Sequence, residues 1–282
     1  MRDDFAAMIL THGRAKKMRT YNSLKKGGYT GKIYVIIDMD DEQADLYREL
    51  YGDQVIQFDK DDYIGKFDIG DNFGKKNAII FARNASWDIA KKLGLKYFAQ
   101  FDDDYEAFMF REERNGKLRG VMTQRLDDVF EAMLRFLDDS GALTVAFAQG
   151  GDFIGGSSGA WKKKILRKAM NSFFLRTDRR FEFKGFLNED VTAYVEYNLK
   201  GKLLFTVTDF MISQAQTQST EGGITDIYLE WGTYTKSFYT VMFHPNAAII
   251  SMMGSSHLRV HHNILWDRCA PKILNESVKK RG

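Results

Sequence analysis

The feature that most narrows what this chain can fold into is an alternation in its first third. Short, nearly continuous apolar runs are each followed by a polar loop and a helix-compatible stretch. Ala6-Ala7-Met8-Ile9-Leu10 leads into Thr11-His12-Gly13-Arg14 and then a basic segment that Gly27-Gly28 stops. Lys32 to Asp38 is β-branched and apolar, the pattern of a strand covered on both faces, and a helix over about 41–51 follows. Val55-Ile56-Gln57-Phe58 gives a third strand, and the acidic stretch 59–72 is too polar to be core. A helix over about 75–93 is closed by Gly94, and the strand Lys96 to Phe101 runs straight into Asp102-Asp103-Asp104.

This order predicts an α/β fold, a Rossmann-like, mostly parallel central sheet with right-handed crossovers and flanking helices. Ligands in such sheets collect beyond the carboxyl ends of the strands, where Thr11, Asp38 and the three aspartates fall. The second half is less regular. A hairpin is expected around Asn115-Gly116, a helix over about 124–137, a strand from Leu143 to Ala148 and a glycine-rich loop from Gly150 to Gly159. Asn188 reads as the N-cap of a helix reaching Leu199, and 203–212 reads as a strand. With 282 residues, 44% hydrophobic, and only two prolines, no linker or boundary emerges. The expectation is one domain over 1–282, with a nucleotide-binding half over about 1–105 and a mixed acceptor half over about 106–282.

Charge and cysteine content restrict the function class. Lysine plus arginine number 41 against 38 acids, so bulk charge argues for no nucleic-acid partner and only local clusters can. The lone Cys269 cannot form an internal disulfide. No apolar run approaches the roughly 20 residues needed to span a bilayer, and acids stand where a signal peptide would be basic. A soluble, cytoplasmic protein without a membrane partner is expected.

Three consecutive carboxylates after a buried strand repel one another, and a divalent cation removes that cost. In strand geometry Asp102 and Asp104 share a side and can hold one ion, while Asp103 points away and can reach a ribose. Hard oxygen ligands suit Mg²⁺ or Mn²⁺. The alternative is an exposed acidic turn. In the glycine-rich loop, Gly151, Asp152, Gly155 and Gly156 let backbone amides approach a bound sugar or acceptor, although a plain flexible loop would look the same. It is not a P-loop, because no Gly-Lys-Ser/Thr follows. Basic residues at 162–164, 167–168, 176, 179–180 and 279–281, with Phe173, Phe174, Phe181 and Phe183 interleaved, suit a phosphate backbone and an extrahelical base, or else simply a solvated surface.

An apolar strand ending Phe101-Asp102-Asp103-Asp104-Tyr105, preceded by Ala82-Arg83-Asn84, resembles the DxD region of GT-A glycosyltransferases. Taken with Thr11-His12-Gly13-Arg14, Gln149 to Gly156, Asn188-Glu189-Asp190 and Arg259-Val260-His261-His262, the series resembles the phage TET-associated glycosyltransferases over most of the chain. The resemblance implies a GT-A-like fold and transfer of a sugar from a UDP-sugar, here UDP-glucose, to the hydroxyl of 5-hydroxymethylcytosine in DNA, with inversion. By that analogy Thr11 and Arg14 lie against the nucleotide, Asp38 beside the uracil or ribose, and Arg83 near the diphosphate. Glu189-Asp190 resembles the acidic pair that holds the acceptor, with Asp190 as the base. GT-A enzymes often add a late histidine to the metal, which points to His262 with His261 close behind. A bacteriophage enzyme would work in the host cytoplasm. Within the same class the acceptor could be a protein or a glycan. Outside it, clustered carboxylates with basic flanks also fit a metal-dependent nuclease or a non-catalytic nucleic-acid-binding module.

Overall fold

The computed structural model describes residues 1–70, 76–153, 156–159, 172–214, 230–232, 234–253 and 259–279. The expected alternation is present: β1 (Phe5–Leu10), α1 (Arg19–Lys26), β2 (Lys32–Asp38), α2 (Ala44–Tyr51), β3 (Val55–Phe58), α3 (Ile80–Lys92) and β4 (Tyr97–Asp102). β5 (Tyr105–Arg114) and β6 (Lys117–Met122) form the expected hairpin, with Asn115 and Gly116 both at positive φ as a tight two-residue turn requires. α4 (Leu126–Ser140), β7 (Thr144–Gln149), β8 (Phe173–Arg176), α5 (Glu189–Leu199) and β9 (Leu204–Gln214) follow. α6 (Thr235–Phe243), the strands β10 (Ala248–Met253) and β11 (Arg259–Ile264), and the short α7 (Trp266–Cys269) complete the order.

Among the described residues nine strands make one sheet in the order β3-β2-β1-β4-β8-β7-β9-β5-β6, and β10 and β11 pair separately. The block β3-β2-β1-β4 is parallel throughout. Beyond β4 the sheet is mixed: β8 runs antiparallel to both β4 and β7, β7 and β9 are parallel, and β5 is antiparallel to β9 and β6. The mostly parallel expectation therefore holds for the first half only. Among the described residues beyond β4, the one parallel pair, β7 and β9, stands with hairpin and returning strands that pair antiparallel.

Strand alternation sends side chains to two separate cores. Ala6, Met8, Leu10, Ile36 and Phe98 pack under α3 and α5, whereas Phe5, Ala7, Ile9, Val35, Ile37, Tyr97 and Phe101 pack under α4 on the other face. Burial on both faces explains why these strands read as unbroken apolar runs. α4 contributes Leu126, Phe130, Met133, Leu134 and Leu137, spaced for one helical face, and ends at the left-handed Gly141. Phe130 meets Phe5, Phe101, Phe147 and Phe174 with ring centroids 5.1–6.0 Å apart. Burying each such ring stabilises the fold by about 1.5–3 kcal/mol. α3 is buried almost all round, from Ile80 through Ala90, so its one arginine is carried into the interior.

The chain crosses β1 once. After β1 it winds outward to β2 and β3, then returns to place β4 on the opposite side of β1. At such a switch the loops beyond the two adjacent strands diverge and leave a crevice. Thr11 and the aspartate triplet lie at and just beyond the ends of these two strands.

Candidate active site

The loop after β1 is bound to the turn after β4. Thr11 Oγ1 donates to Asp103 Oδ2 at 2.7 Å, and Arg14 Nη1 donates to Asp103 Oδ1 at 3.0 Å. Tyr47 from α2 braces the same loop, accepting from the Arg14 backbone N–H at 2.9 Å and lying 2.9 Å from Thr11 Oγ1. Asp103, expected to reach a ribose, is thus buried with both carboxylate oxygens engaged by the protein. The reason is that the chain turns at 103–104, so strand alternation no longer governs where it points.

Asp38 is also engaged. It takes His12 Nδ1 at 2.8 Å and Lys60 Nζ at 3.0 Å, and Asp41 accepts the Gly13 backbone N–H at 2.8 Å. Burial works against its charge, but His12 and Lys60 outweigh it and hold Asp38 below the usual carboxylate range. The same hydrogen bond raises His12 above the ordinary imidazole value against the effect of burial. Lys60 falls in the stretch 59–72, which its sequence marks as too polar to be core. Lys60 is in fact 7% exposed, because Asp38 supplies the counter-charge that burial demands.

Arg83, expected near a diphosphate, is sealed inside, 1% exposed. Its Nε donates to Glu189 Oε1 at 2.7 Å and its Nη2 to Asp102 Oδ1 at 3.0 Å, and its guanidinium lies 5.2 and 5.7 Å from the ring centroids of Phe173 and Phe183. One cation therefore joins the end of β4 to the start of α5. Asn84 locks the neighbouring chain by exchanging two 3.0 Å hydrogen bonds with the Phe183 backbone.

The two outer aspartates carry more charge than their surroundings neutralise. Burial pushes the Asp102 carboxyl up to about 8; Arg83 opposes this, and Asp104, Glu189 and Asp103 add repulsion. Burial and Asp103 push Asp104 up to about 6, against a 3.3 Å hydrogen bond from Gln214 Nε2. Asp104 Oδ1 is buried and has no hydrogen-bond partner among the described residues. Two hard carboxylates, crowded and incompletely satisfied, fit a divalent cation that takes one or two protein carboxylates and completes its shell with phosphate and water. Asp102, Asp104 and His262 are not brought together as a ready ligand set: no group of three His, Cys, Asp or Glu side chains able to hold a metal occurs among the described residues.

Glu189 and Asp190 open α5 and are both buried. Burial raises the Glu189 carboxyl, with Arg83 pulling it back. Asp190 Oδ1 accepts the Val191 backbone N–H at 2.8 Å. Tyr194, one turn later, is raised well above the usual phenol value by burial, with the nearby negative charge of Asp190 adding to it. Asp152 Oδ2 accepts the Gln149 N–H at 3.0 Å and shapes the turn after β7. Gln149 Nε2 in turn donates to Gln214 Oε1 at 3.1 Å, which continues the chain to Asp104. A Cβ at Gly151 or Gly156 would meet nothing within 4 Å. Gly155 lies outside the described residues.

The aromatic residues of the surface expected for a nucleic acid are internal, and its described arginines have partners within the protein. Phe173, Phe174, Phe181 and Phe183 are core, Arg176 binds Asp138 and Asp178, Arg179 donates to the carbonyls of Leu137 and Ala142, and Arg180 pairs with Asp88. Lys162, Lys163, Lys164, Arg167, Lys168, Lys280 and Arg281 lie outside the described residues. Among the described residues no helix is long and apolar enough to cross a membrane.

A family model described as TET-Associated Glycosyltransferase matches residues 5–223. No curated protein matches the chain.

Proposed function

Because the chain belongs to the TET-associated glycosyltransferases, and is therefore a transferase working between a nucleotide-sugar donor and an acceptor, we propose a specific reaction for it. The chain is a single GT-A-like domain, donor-binding over about 1–105 and acceptor-binding over about 106–282. It moves glucose from UDP-glucose to the hydroxyl of 5-hydroxymethylcytosine in DNA, with inversion.

The observation that carries this reading is the crowded pair Asp102 and Asp104 beside the switch between β1 and β4, one of them with a buried, unpartnered oxygen. These two would hold Mn²⁺ or Mg²⁺. Bound there, the cation would offset the negative charge that gathers on the diphosphate as it departs. Asp38, with His12 beside it at the mouth of the loop, faces the base and ribose. Thr11 and Arg14 keep the nucleotide loop fixed through Asp103, and Arg83 holds Asp102 and Glu189 in register. Gly151, where an added Cβ would meet nothing within 4 Å, and Gly156 beyond it would let the sugar approach the backbone. Asp190 takes the proton from the acceptor hydroxyl. The oxygen then bonds to the anomeric carbon as the carbon–oxygen bond to UDP breaks on the opposite face.

Titrating UDP binding against Mn²⁺ tests the donor half. Asp104→Asn should abolish metal-dependent UDP binding, UDP-glucose hydrolysis and transfer, while Asp190→Asn should stop transfer and keep UDP binding. UDP binding indifferent to both Mn²⁺ and Asp104→Asn overturns the reading. Mass spectrometry of hydroxymethylated DNA incubated with a panel of sugar nucleotides identifies donor and acceptor together. The same assay excludes a rival acceptor, a glycan or a protein, if the DNA gains a hexose.

A further inference from the structure

Asn188 stands immediately before α5 in the left-handed region, with φ 57° and ψ 34°, a conformation that costs most side chains energy. It was expected to cap the helix, yet its side chain makes no cap hydrogen bond. Instead its amide nitrogen Nδ2 points across to α6 and β11. It lies 2.8 Å from the Lys236 carbonyl oxygen, 3.4 Å from Thr240 Oγ1 and 3.1 Å from His262 Nδ1.

The Lys236 contact fixes which end of the amide faces this cluster, because a carbonyl oxygen only accepts. The NH₂ group therefore also faces His262 Nδ1, and two N–H donors cannot oppose each other at 3.1 Å. Nδ1 must be bare and accepting, which leaves a neutral ring with its proton on Nε2. Such a ring has no lone pair left for a cation: Nδ1 is taken by Asn188 and Nε2 carries hydrogen. The absence of His262 from any ligand group with Asp102 and Asp104 agrees.

From this we infer that His262 is a positioning residue and not a metal ligand. It acts through Asn188, tying the β10–β11 pair and α6 to the left-handed hinge from which Glu189 reaches Arg83 and Asp190 faces the acceptor. The inference rests on Asp190 being the acceptor-side base. A histidine that ligates a metal donates its other ring N–H to the group that orients it, whereas here the Asn188 amide donates to the ring.

The test uses the full chain and three variants. His262→Asn keeps an accepting oxygen close to the place of Nδ1, His262→Leu removes it, and Asn188→Gly keeps the left-handed backbone without the amide. The expected results are a ¹⁵N signature of the Nε2–H tautomer, unchanged on adding Mg²⁺, and Mn²⁺ affinity in the presence of UDP that is the same in all three variants as in the wild type. Transfer kcat should fall by about tenfold or more in His262→Leu and Asn188→Gly and recover in His262→Asn, with KM for the donor unmoved. An Nδ1–H ring, a loss of Mn²⁺ affinity of about tenfold in both His262 variants, or equal kcat losses in His262→Asn and His262→Leu would each overturn it. If the wild type binds no Mn²⁺ and transfers nothing, the proposed function fails, while the ring tautomer still decides the link between His262 and Asn188.

Discussion

Thr11 and Asp103 are joined by a 2.7 Å hydrogen bond that ties the loop after β1 to the turn after β4. Both are set by backbone position, and the bond closes a path that sequence order separates widely. Asp103→Asn removes the charge that Thr11 and Arg14 share, and the expected cost is about 2 kcal/mol, the range of a hydrogen bond to a charged group. Thr11→Val should cost about 1 kcal/mol. Urea unfolding followed by circular dichroism measures both, and variants as stable as the wild type would remove this contact from the account.

Arg83→Met leaves the buried Glu189 and the half-buried Asp102 with no cation between them, and breaking such a pair from one side costs about 3–5 kcal/mol. Arg83→Lys should recover part of this, since one ammonium cannot span both carboxylates. The deficit also has a predicted pH dependence. Without Arg83 the two carboxyls have folded pKa values well above their unfolded ones, so their cost is present above the unfolded values and disappears as they protonate. Stability curves at about pH 8 and about pH 5 should therefore converge on the wild type at the lower pH.

His12 offers a titration with the opposite sign. Its pKa is raised in the folded state, so the His12–Asp38 contact contributes fully below the unfolded imidazole value and is lost as pH rises through the folded one. Asp38, held low, loses its contribution only as pH falls through its own folded value. An NMR titration should place His12 above the ordinary value of about 6.5, and Asp38→Asn should bring it back down. A His12 that titrates at the ordinary value in the wild type contradicts the geometry.

Two glycines separate contact from conformation. Gly28 sits at φ +81°, and an added Cβ would lie 2.1 Å from the Gln124 carbonyl oxygen. Gly94 has φ +67° with nothing within 4 Å. Gly94→Ala should cost about 1 kcal/mol for the left-handed backbone alone, and Gly28→Ala about 3 kcal/mol or a local rearrangement. Thermal unfolding of the two side by side distinguishes them.

What the sequence made legible follows from how far apart the deciding partners lie. β2 was read to the residue because Lys32 to Asp38 is a buried parallel strand whose whole pattern is local. α3 begins five residues later than expected, at Ile80, because no capping side chain marks its start. β8 was missed altogether. Phe173–Arg176 sits among lysines and arginines and looked like a nucleic-acid surface, but it is a strand specified by partners at 97–100 and 144–145. The site shows the same division. Thr11, Asp38 and the triplet were visible as strand ends, whereas Lys60, Gln214 and the Arg83–Glu189 contact exist only through tertiary proximity.

The insertion of β8 beside β4 has a consequence for how the molecule is made. β4 is translated early, yet its second neighbour comes from beyond residue 172, and the hydrogen bond that steadies Asp104 waits for Gln214. A nascent chain thus emerges from the ribosome with β4 lacking one partner and the aspartates without their glutamine. Pairing over such distances is slow and leaves an adhesive edge open meanwhile. Yield of the folded protein should accordingly depend on growth temperature and chaperone supply more than its finished core would suggest.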